Sequence, residues 1–132
     1  MSKKVLDSYS LLVYFEHEPG YEKMAEHIEK AAGSMQNLLL SVVNWGEVFY
    51  AIYREYSLSR ANEVVGTIDT LPIDIIPADM ELTKQAAIFK ANHKMSYADC
   101  FAAALAKLRK AELITGDKEF EQLKHEIKIN WI

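Results

Sequence analysis

Five short apolar runs, separated by segments with helical periodicity, constrain the fold of this chain more than any other feature. The runs are rich in branched side chains and are bounded by polar or turn residues; they span residues 5–6, 38–43, 73–76, 113–115 and 127–132. Because the runs are apolar at most positions and do not alternate strictly with polar residues, they predict strands of a sheet that is covered on both faces. Such strands alternating with helices predict an α/β fold, with a mostly parallel sheet covered on both sides.

The segments between these runs place apolar residues three or four positions apart, as the buried face of a helix requires. One stripe runs from Trp45 to Tyr56 and a second follows a predicted cap at Ser59, so together they predict a helical hairpin. Further helices are predicted near residues 24–28, over 79–93 and over 96–110. The residues predicted to face inward on the last two are Leu82, Ala86, Phe89, Tyr97, Phe101, Leu105 and Leu108.

Length and cysteine content narrow the class of protein. At 132 residues the chain is expected to form one domain, residues 1–132, with a substantial core. A single cysteine excludes an intramolecular disulfide framework and a cysteine-based zinc site. No apolar run approaches the ~20 residues of a membrane helix, and Asp7 interrupts the first run too early for a signal peptide. We therefore expect a cytoplasmic protein that does not enter a membrane.

The charge balance excludes one mode of nucleic-acid binding. Asp and Glu number 19 against 15 Lys and Arg, which gives a formal net charge of −4. A protein that binds nucleic acid through a broad basic surface has the opposite balance. The excess of acidic residues therefore calls for another explanation.

Four acidic residues are predicted at one edge of the sheet. In open parallel sheets the ligand site lies beyond the carboxyl ends of the strands. Residues that directly follow a predicted strand or occupy the first turn of the next helix are Asp7, Glu47, Asp99 and Asp117. Each one alone is explained by helix capping or by the helix dipole. Capping does not explain why all four share one edge.

Carboxylates that converge on one site repel one another unless a cation neutralises them. Oxygen ligands, without a cysteine set or a suitably spaced histidine pair, favour Mg²⁺ or Mn²⁺ over zinc. Such an ion suits attack of water on a phosphodiester, because it acidifies the water and offsets charge on the phosphoryl and leaving oxygens. Ser8, Ser10 and Thr115 add hydroxyl groups beside this site, unless they serve only as turn or cap residues.

The segments around these acids resemble the PIN-domain ribonucleases, and in particular the VapC-like toxins of toxin–antitoxin pairs. In chain order the resemblance lies in Val5-Leu6-Asp7-Ser8, in Glu47, in SYADCFAAALA from Ser96 and in LITGDKEF from Leu113. It extends over essentially the whole chain. It implies a three-layer α/β/α sandwich with a parallel five-stranded sheet, and Mg²⁺- or Mn²⁺-dependent endonucleolytic cleavage of RNA. It also implies inhibition by a cognate antitoxin and a homodimer.

Carried over by position, the resemblance implies a catalytic and metal-binding set formed by Asp7, Glu47, Asp99 and Asp117, with Ser8 and Thr115 as supporting hydroxyls. Glu119 and Glu121 follow closely, but alternate charges on a short helix are interpreted as solvated. Tyr9 stands where a smaller or amide residue is common in the family. It leaves the pattern of acids unchanged.

Other residues carry weaker hypotheses. The candidate RNA contacts, which a solvated face explains equally well, are Arg54, Lys90, Lys94 and Lys118. The aromatic stripe from Trp45 to Tyr56 is either core or a surface for an antitoxin or a second copy. Cys100 is interpreted as a small buried side chain, because no histidine lies near it in sequence as a base.

Two other classes of protein share part of the pattern. A receiver-type signalling domain is an α/β protein that binds Mg²⁺ through acids at strand ends, but it requires two acids after its first strand, where this chain has only Asp7. A PIN-fold module that binds or assembles without catalysis is the second alternative, and the presence of all four acids argues against it. The sequence therefore favours a metal-dependent endoribonuclease.

Overall fold

The structure is a computed structural model that describes residues 3–132. Within this range five strands alternate with six α-helices, and a 3₁₀ helix, Lys118–Leu123, precedes the last strand. The strands are β1 (Lys4–Leu6), β2 (Leu38–Ser41), β3 (Ile73–Ile76), β4 (Glu112–Thr115) and β5 (Lys128–Trp131). The helices are α1 (Ser8–Glu16), α2 (Tyr21–Ser34), α3 (Val42–Glu55), α4 (Leu58–Ile68), α5 (Met80–Asn92) and α6 (Tyr97–Arg109).

The strands form one sheet in the order β3-β2-β1-β4-β5, and every pairing between them is parallel. All five predicted strands are therefore confirmed. The chain builds the sheet outward from β1 to β3 on one side, then crosses over to add β4 and β5 on the other. The strand order thus reverses between β1 and β4, and in open sheets of this kind the ligand crevice lies at this point, beyond the carboxyl ends of the strands.

The strand order also distinguishes this fold from a receiver-type domain. Receiver sheets have the order 2-1-3-4-5, so their first strand lies between the second and the third. Here β1 lies between β2 and β4. The receiver-type alternative is therefore excluded by topology.

Helices cover both faces of the sheet. Val5 and Leu113 pack with the buried side chains of α5, α6 and the 3₁₀ helix. Their neighbours Leu6 and Ile114 point to the other face and pack with α1 to α4. Because successive side chains of a strand point to opposite faces, two apolar layers form, one on each side. The predicted three-layer α/β/α sandwich is confirmed.

Helix α6 lies closest to the sheet, and its first turn carries Asp99. Residues 100–106 are all buried, and Cys100 is among them as predicted. Four of the seven are alanines, whose small side chains let the helix backbone approach the strands. Within residues 3–132, neither α6 nor another helix is long and apolar enough to cross a membrane.

Three local predictions were wrong. Helix α1 was not predicted, because residues 8–16 follow Asp7 without an intervening turn and are apolar on most sides. The cap of α4 is Ser57 and not Ser59, since the hydroxyl of Ser57 accepts the N–H of Arg60. Tyr97 and Leu108 are exposed on α6, whereas the other residues predicted to face inward on α5 and α6 are buried.

Candidate active site

The crevice beyond β1 and β4 brings acidic side chains together from four parts of the chain. Asp7 follows β1 and caps α1, and Asp117 follows β4 and caps the 3₁₀ helix. Glu47 comes from α3 and Asp99 from the first turn of α6. The charges of Asp117 and Glu47 raise the pKa of Asp99, and the charge of Asp99 raises that of Asp7, so the four groups lie within electrostatic reach of one another.

Asp7 is fully buried at the base of the crevice. Its carboxyl group accepts the backbone N–H of Ser10 at 2.8 Å and the hydroxyl of Thr115 at 2.5 Å. Burial raises its pKa from 3.8 to about 7, although these hydrogen bonds act in the opposite direction. The fold therefore holds a carboxyl group where its charge is poorly solvated, which is costly without a compensating cation.

Asp99, Asp117 and Glu119 form the outer part of the cluster. One carboxylate oxygen from each lies within 4.8 Å of the others. Asp99 is partly buried, and that burial is the main cause that raises its pKa to about 6; the charges of Asp117, Glu47 and Glu119 add to the rise. Ser96 caps α6 by accepting the N–H of Asp99 at 3.1 Å, which fixes this turn.

Thr115 connects the inner and outer acids. Its hydroxyl donates to Asp7 and accepts the backbone N–H of Asp117 at 3.0 Å. Thr115 is fully buried, and its hydrogen bond to Asp7 is shielded from water. The predicted supporting hydroxyl thus sits between two of the predicted acids.

The position of Glu47 differs from the prediction. Strand β2 ends at Ser41, whose side chain caps α3, so the helix begins earlier than expected and Glu47 lies in its second turn. The hydroxyl of Ser8 donates to Glu47, and that hydroxyl accepts from Asn44 at 3.2 Å. Asn44 also donates to the carbonyl of Ala98 at 3.1 Å. Glu47 is therefore oriented by a polar network that joins α1, α3 and α6.

Sequence reasoning missed two of these residues. Asn44 is buried on the same helical stripe as Val48 and Ile52, so a polar residue on an apolar face was the available signal. Glu119 was interpreted as solvated; it is exposed, but its carboxylate also faces Asp99 and Asp117. A short helix was predicted here, but its tight 3₁₀ turn, which brings Glu119 towards Asp99 and Asp117, was not.

The donor set fits a hard divalent cation. Its oxygens come from carboxylates, which are the ligands that Mg²⁺ and Mn²⁺ prefer. Within residues 3–132, none of the ion pairs involves Asp7, Glu47, Asp99, Asp117 or Glu119. The mutual repulsion of these groups is thus not relieved by a lysine, arginine or histidine in contact with them.

The side chain of Tyr9 packs against the turn that follows β4. Its ring lies against Gly116, where an added Cβ would come within 2.5 Å of Cε1 of the ring. Residue 116 must therefore lack a side chain for this packing to form. The unusual tyrosine of α1 thus contacts the turn that carries Thr115 and Asp117.

The four candidate RNA contacts differ in their relation to the crevice. Lys118 is exposed directly after Asp117, and exposed Lys94 lies near the 3₁₀ helix, since its carbonyl accepts from Gln122. The ammonium of Lys90 donates to the carbonyl of Met95 and so is tied to the loop before α6. Arg54 lies in the last turn of α3, about 10 Å along the axis from Glu47.

Several solved structures with a similar fold are proteins of toxin–antitoxin systems. A chain of VapBC2 from Rickettsia felis, crystallised with a DNA fragment from its promoter, aligns with a TM-score of 0.79, 13% identity and 97% coverage of both chains. A chain of DNA-bound VapBC from Salmonella typhimurium aligns with a TM-score of 0.77 and 18% identity, and the alignment covers 99% of this chain and 98% of that one. VapC20 from Mycobacterium tuberculosis, a toxin that cleaves the sarcin–ricin loop, aligns with a TM-score of 0.72 and 11% identity. The alignment covers 91% of this chain and 94% of VapC20.

Comparison by sequence gives the family. No curated protein matches the chain. The family model of the PIN domain matches residues 4–126, which include all the acids of the crevice. Nearly the whole chain is thus covered by one family model, and the fold agrees with it. The protein belongs to the PIN domain family.

Proposed function

We propose that this protein is an Mg²⁺- or Mn²⁺-dependent endoribonuclease and the toxin of a toxin–antitoxin pair, acting as a single domain. The observation that carries the proposal is the group of carboxylates in the crevice, which have no ion-pair partner among the described residues although Asp7 is fully buried. Membership of the PIN domain family supports nuclease chemistry. The sarcin–ricin loop activity named for VapC20 supports RNA as the substrate class.

In this proposal the metal-binding and catalytic residues are Asp7, Glu47, Asp99 and Asp117. A divalent ion held by these carboxylates would supply an activated water and neutralise charge on the phosphate. Ser10 and Thr115 hold the carboxyl group of Asp7 in one orientation, and Ser8 holds that of Glu47. These hydrogen bonds set the ligand positions before substrate arrives, which lowers the cost of organising the site.

The same proposal assigns substrate contacts to basic residues around the crevice. Lys118 follows Asp117 directly and is exposed, so it is placed to attract a phosphate near the acids. Lys94 and Lys90 would contact the RNA strand further from the acids, on the same side of the crevice as Lys118. Arg54 would contact the RNA only from the far end of α3.

We also propose a protein partner for the aromatic stripe of α3. Tyr53 and Tyr56 are 47% and 57% exposed, whereas Trp45 and Phe49 are only partly covered. Exposed aromatic side chains in a row are typical of protein interfaces. Because the similar structures include VapBC complexes, an antitoxin is the partner we propose for this stripe, together with a homodimer in the cytoplasm.

A PIN-fold module that assembles without catalysis is the alternative. Capping of α1 explains a polar residue at position 7, but this alternative gives no reason for a fully buried carboxyl group there or for the network that orients Glu47. A protein selected only for binding would be more stable with a neutral residue at position 7. The catalytic proposal explains both features.

A cleavage assay on structured and single-stranded RNA tests the proposal. We expect cleavage with Mg²⁺ or Mn²⁺, none with EDTA, and at least a hundredfold loss in Asp99→Asn. Asp74→Asn is the matched control, because Asp74 is an exposed acid on β3, the edge strand on the opposite side of the sheet from β4. Equal activity of Asp99→Asn and Asp74→Asn, or cleavage in EDTA, would contradict the proposal.

A further inference from the structure

A cavity lies beside the acid cluster, at the edge of the sheet. It is lined by Gly116, Lys118, Glu121, Trp131 and Ile132. Its volume of about 480 Å³ falls within the ~300–1,000 Å³ typical of small-ligand sites. Apart from Lys118, none of these residues has a role in the proposed cleavage site.

The position of the cavity connects it to the crevice. Trp131 is the register partner of Thr115 across the β4–β5 pair, so the two lie on adjacent strands roughly 4.8 Å apart. Gly116 lies in the chain between Thr115 and Asp117, and one of its sides is closed by the ring of Tyr9. A molecule in the cavity therefore lies next to the turn that carries Asp117.

The lining has the chemistry of a nucleotide site. Trp131 is 38% exposed on edge strand β5, so part of its indole is free to stack. Lys118 is exposed and has no ion pair within the part of the chain that the structure describes. Glu121 is paired with Lys124, which offsets the negative charge at this wall. Single-stranded nucleic acids bind where an aromatic face adjoins a cation.

We propose that this cavity binds one unpaired nucleotide of the RNA, with its base stacked on Trp131 and its phosphate near Lys118. This inference rests on the proposed function and adds a requirement to it. A nucleotide next to the scissile phosphate should be free of base pairing, because a paired base reaches the indole only after its pairing and stacking are broken, which costs free energy. The preferred substrate is therefore a loop or a single strand.

Fluorescence of Trp131 reports stacking without any cleavage. The chain has two tryptophans, so Trp45→Phe leaves Trp131 as the only one. With Mg²⁺ present, adenosine 5′-monophosphate should quench its emission to saturation, whereas ribose 5-phosphate, which has the phosphate but no base, should not. Equal quenching by both compounds, or by neither, would overturn the proposal.

Binding of a labelled single-stranded RNA decamer gives the second test. Trp131→Ala should weaken binding about fivefold or more, and Trp131→Tyr should keep most of the affinity, because it retains a stacking ring. Ile75→Ala is the matched control, since Ile75 is 37% exposed on the opposite edge strand, β3. Should Trp131→Ala fail to fold, the tyrosine variant and the quenching of Trp131 decide the question.

The two proposals fail differently. Cleavage of RNA together with an unresponsive Trp131 rejects the nucleotide site and leaves the nuclease intact. Quenching of Trp131 by the nucleotide without any cleavage supports the nucleotide site and rejects the enzymatic function. If Ile75→Ala weakened RNA binding as much as Trp131→Ala does, the nucleotide site would also be rejected. The loss of affinity would then come from a general change in the sheet and not from the indole.

Discussion

Asp7 combines complete burial with a hydrogen-bonded carboxyl group and no contacting cation among the described residues. Burial raises its pKa to about 7, so near neutral pH it is ionised in only part of the metal-free molecules. A divalent ion beside it would favour the ionised form and lower that pKa. The proposed metal binding would therefore be coupled to stability at this one residue.

Metal-free protein should lose stability relative to an Asp7→Asn variant as the pH rises. The folded pKa of Asp7, about 7, lies above the ordinary value of 3.8, so the folded state binds this proton more tightly than the unfolded state. The resulting stability is fully present below about pH 4 and is lost as the pH rises through about 7, a difference of about 4 kcal/mol. Urea unfolding of both proteins in EDTA measures this difference, and parallel pH profiles would contradict it.

The sequence allowed the four acids to be selected, because Asp7 and Asp117 follow strands, Asp99 lies in the first turn of a helix, and Glu47 was expected there too. It did not allow the contacts of Asn44 or Glu119 to be predicted. The hydrogen bonds of Asn44 join three helices that are distant in sequence. Glu119 approaches Asp99 only because the 3₁₀ helix turns tightly after Asp117. Such contacts depend on tertiary packing, which local patterns do not encode.

At the scale of elements, the start of α6 sets the position of Asp99. Ser96 caps this helix, and Ser57 caps α4 by the same type of bond. Replacing either serine by alanine should cost about 1 kcal/mol of stability. Only Ser96→Ala should also shift the pH profile of cleavage upward, because the hydrogen bond of Ser96 opposes the raised pKa of Asp99.

Thermal unfolding and pH–rate profiles of the two variants test this prediction. Ser57→Ala is the control for the loss of a cap, since α4 carries none of the proposed site residues. An equal shift of both profiles would show that the change reflects stability alone. No shift in Ser96→Ala would contradict a role for Asp99 in the rate.

Strands were easier to predict than helix boundaries. Each strand contains a cluster of apolar, mostly branched side chains between polar or turn residues, and β3 was predicted with its observed bounds. Helices α1 and α3 begin directly after strands, with Asp7 and Ser41 as caps and no turn residue to mark the junction. The sequence therefore did not reveal where β2 ends, and Glu47 was placed in the wrong turn of its helix.

At the scale of the whole molecule, the acidic excess corresponds to the proposed site. The net charge of −4 equals the charge of Asp7, Glu47, Asp99 and Asp117, so the rest of the chain is formally neutral. The protein therefore has too few basic residues for a broad RNA-binding surface. Attraction of RNA would depend on the bound cation and on a few local lysines such as Lys118.

RNA binding should accordingly depend only weakly on salt and strongly on the divalent ion. With about two lysine–phosphate contacts, a plot of log affinity against log salt should have a slope of about −1 to −2. Chelation with EDTA should remove most of the binding. Fluorescence anisotropy over a range of KCl concentrations measures the slope; a slope steeper than about −5, unchanged by EDTA, would indicate a basic surface instead.

The central claim is that the acids of the crevice hold a divalent cation, and calorimetric titration of metal-free protein with Mn²⁺ tests it most directly. We predict saturable binding that releases protons near neutral pH, since Asp7 and Asp99 have raised pKa values. Asp99→Asn should weaken this binding at least tenfold, and Asp74→Asn, on edge strand β3, should leave it unchanged. Absence of binding to the unmodified protein, or equal binding by Asp99→Asn, would contradict the claim.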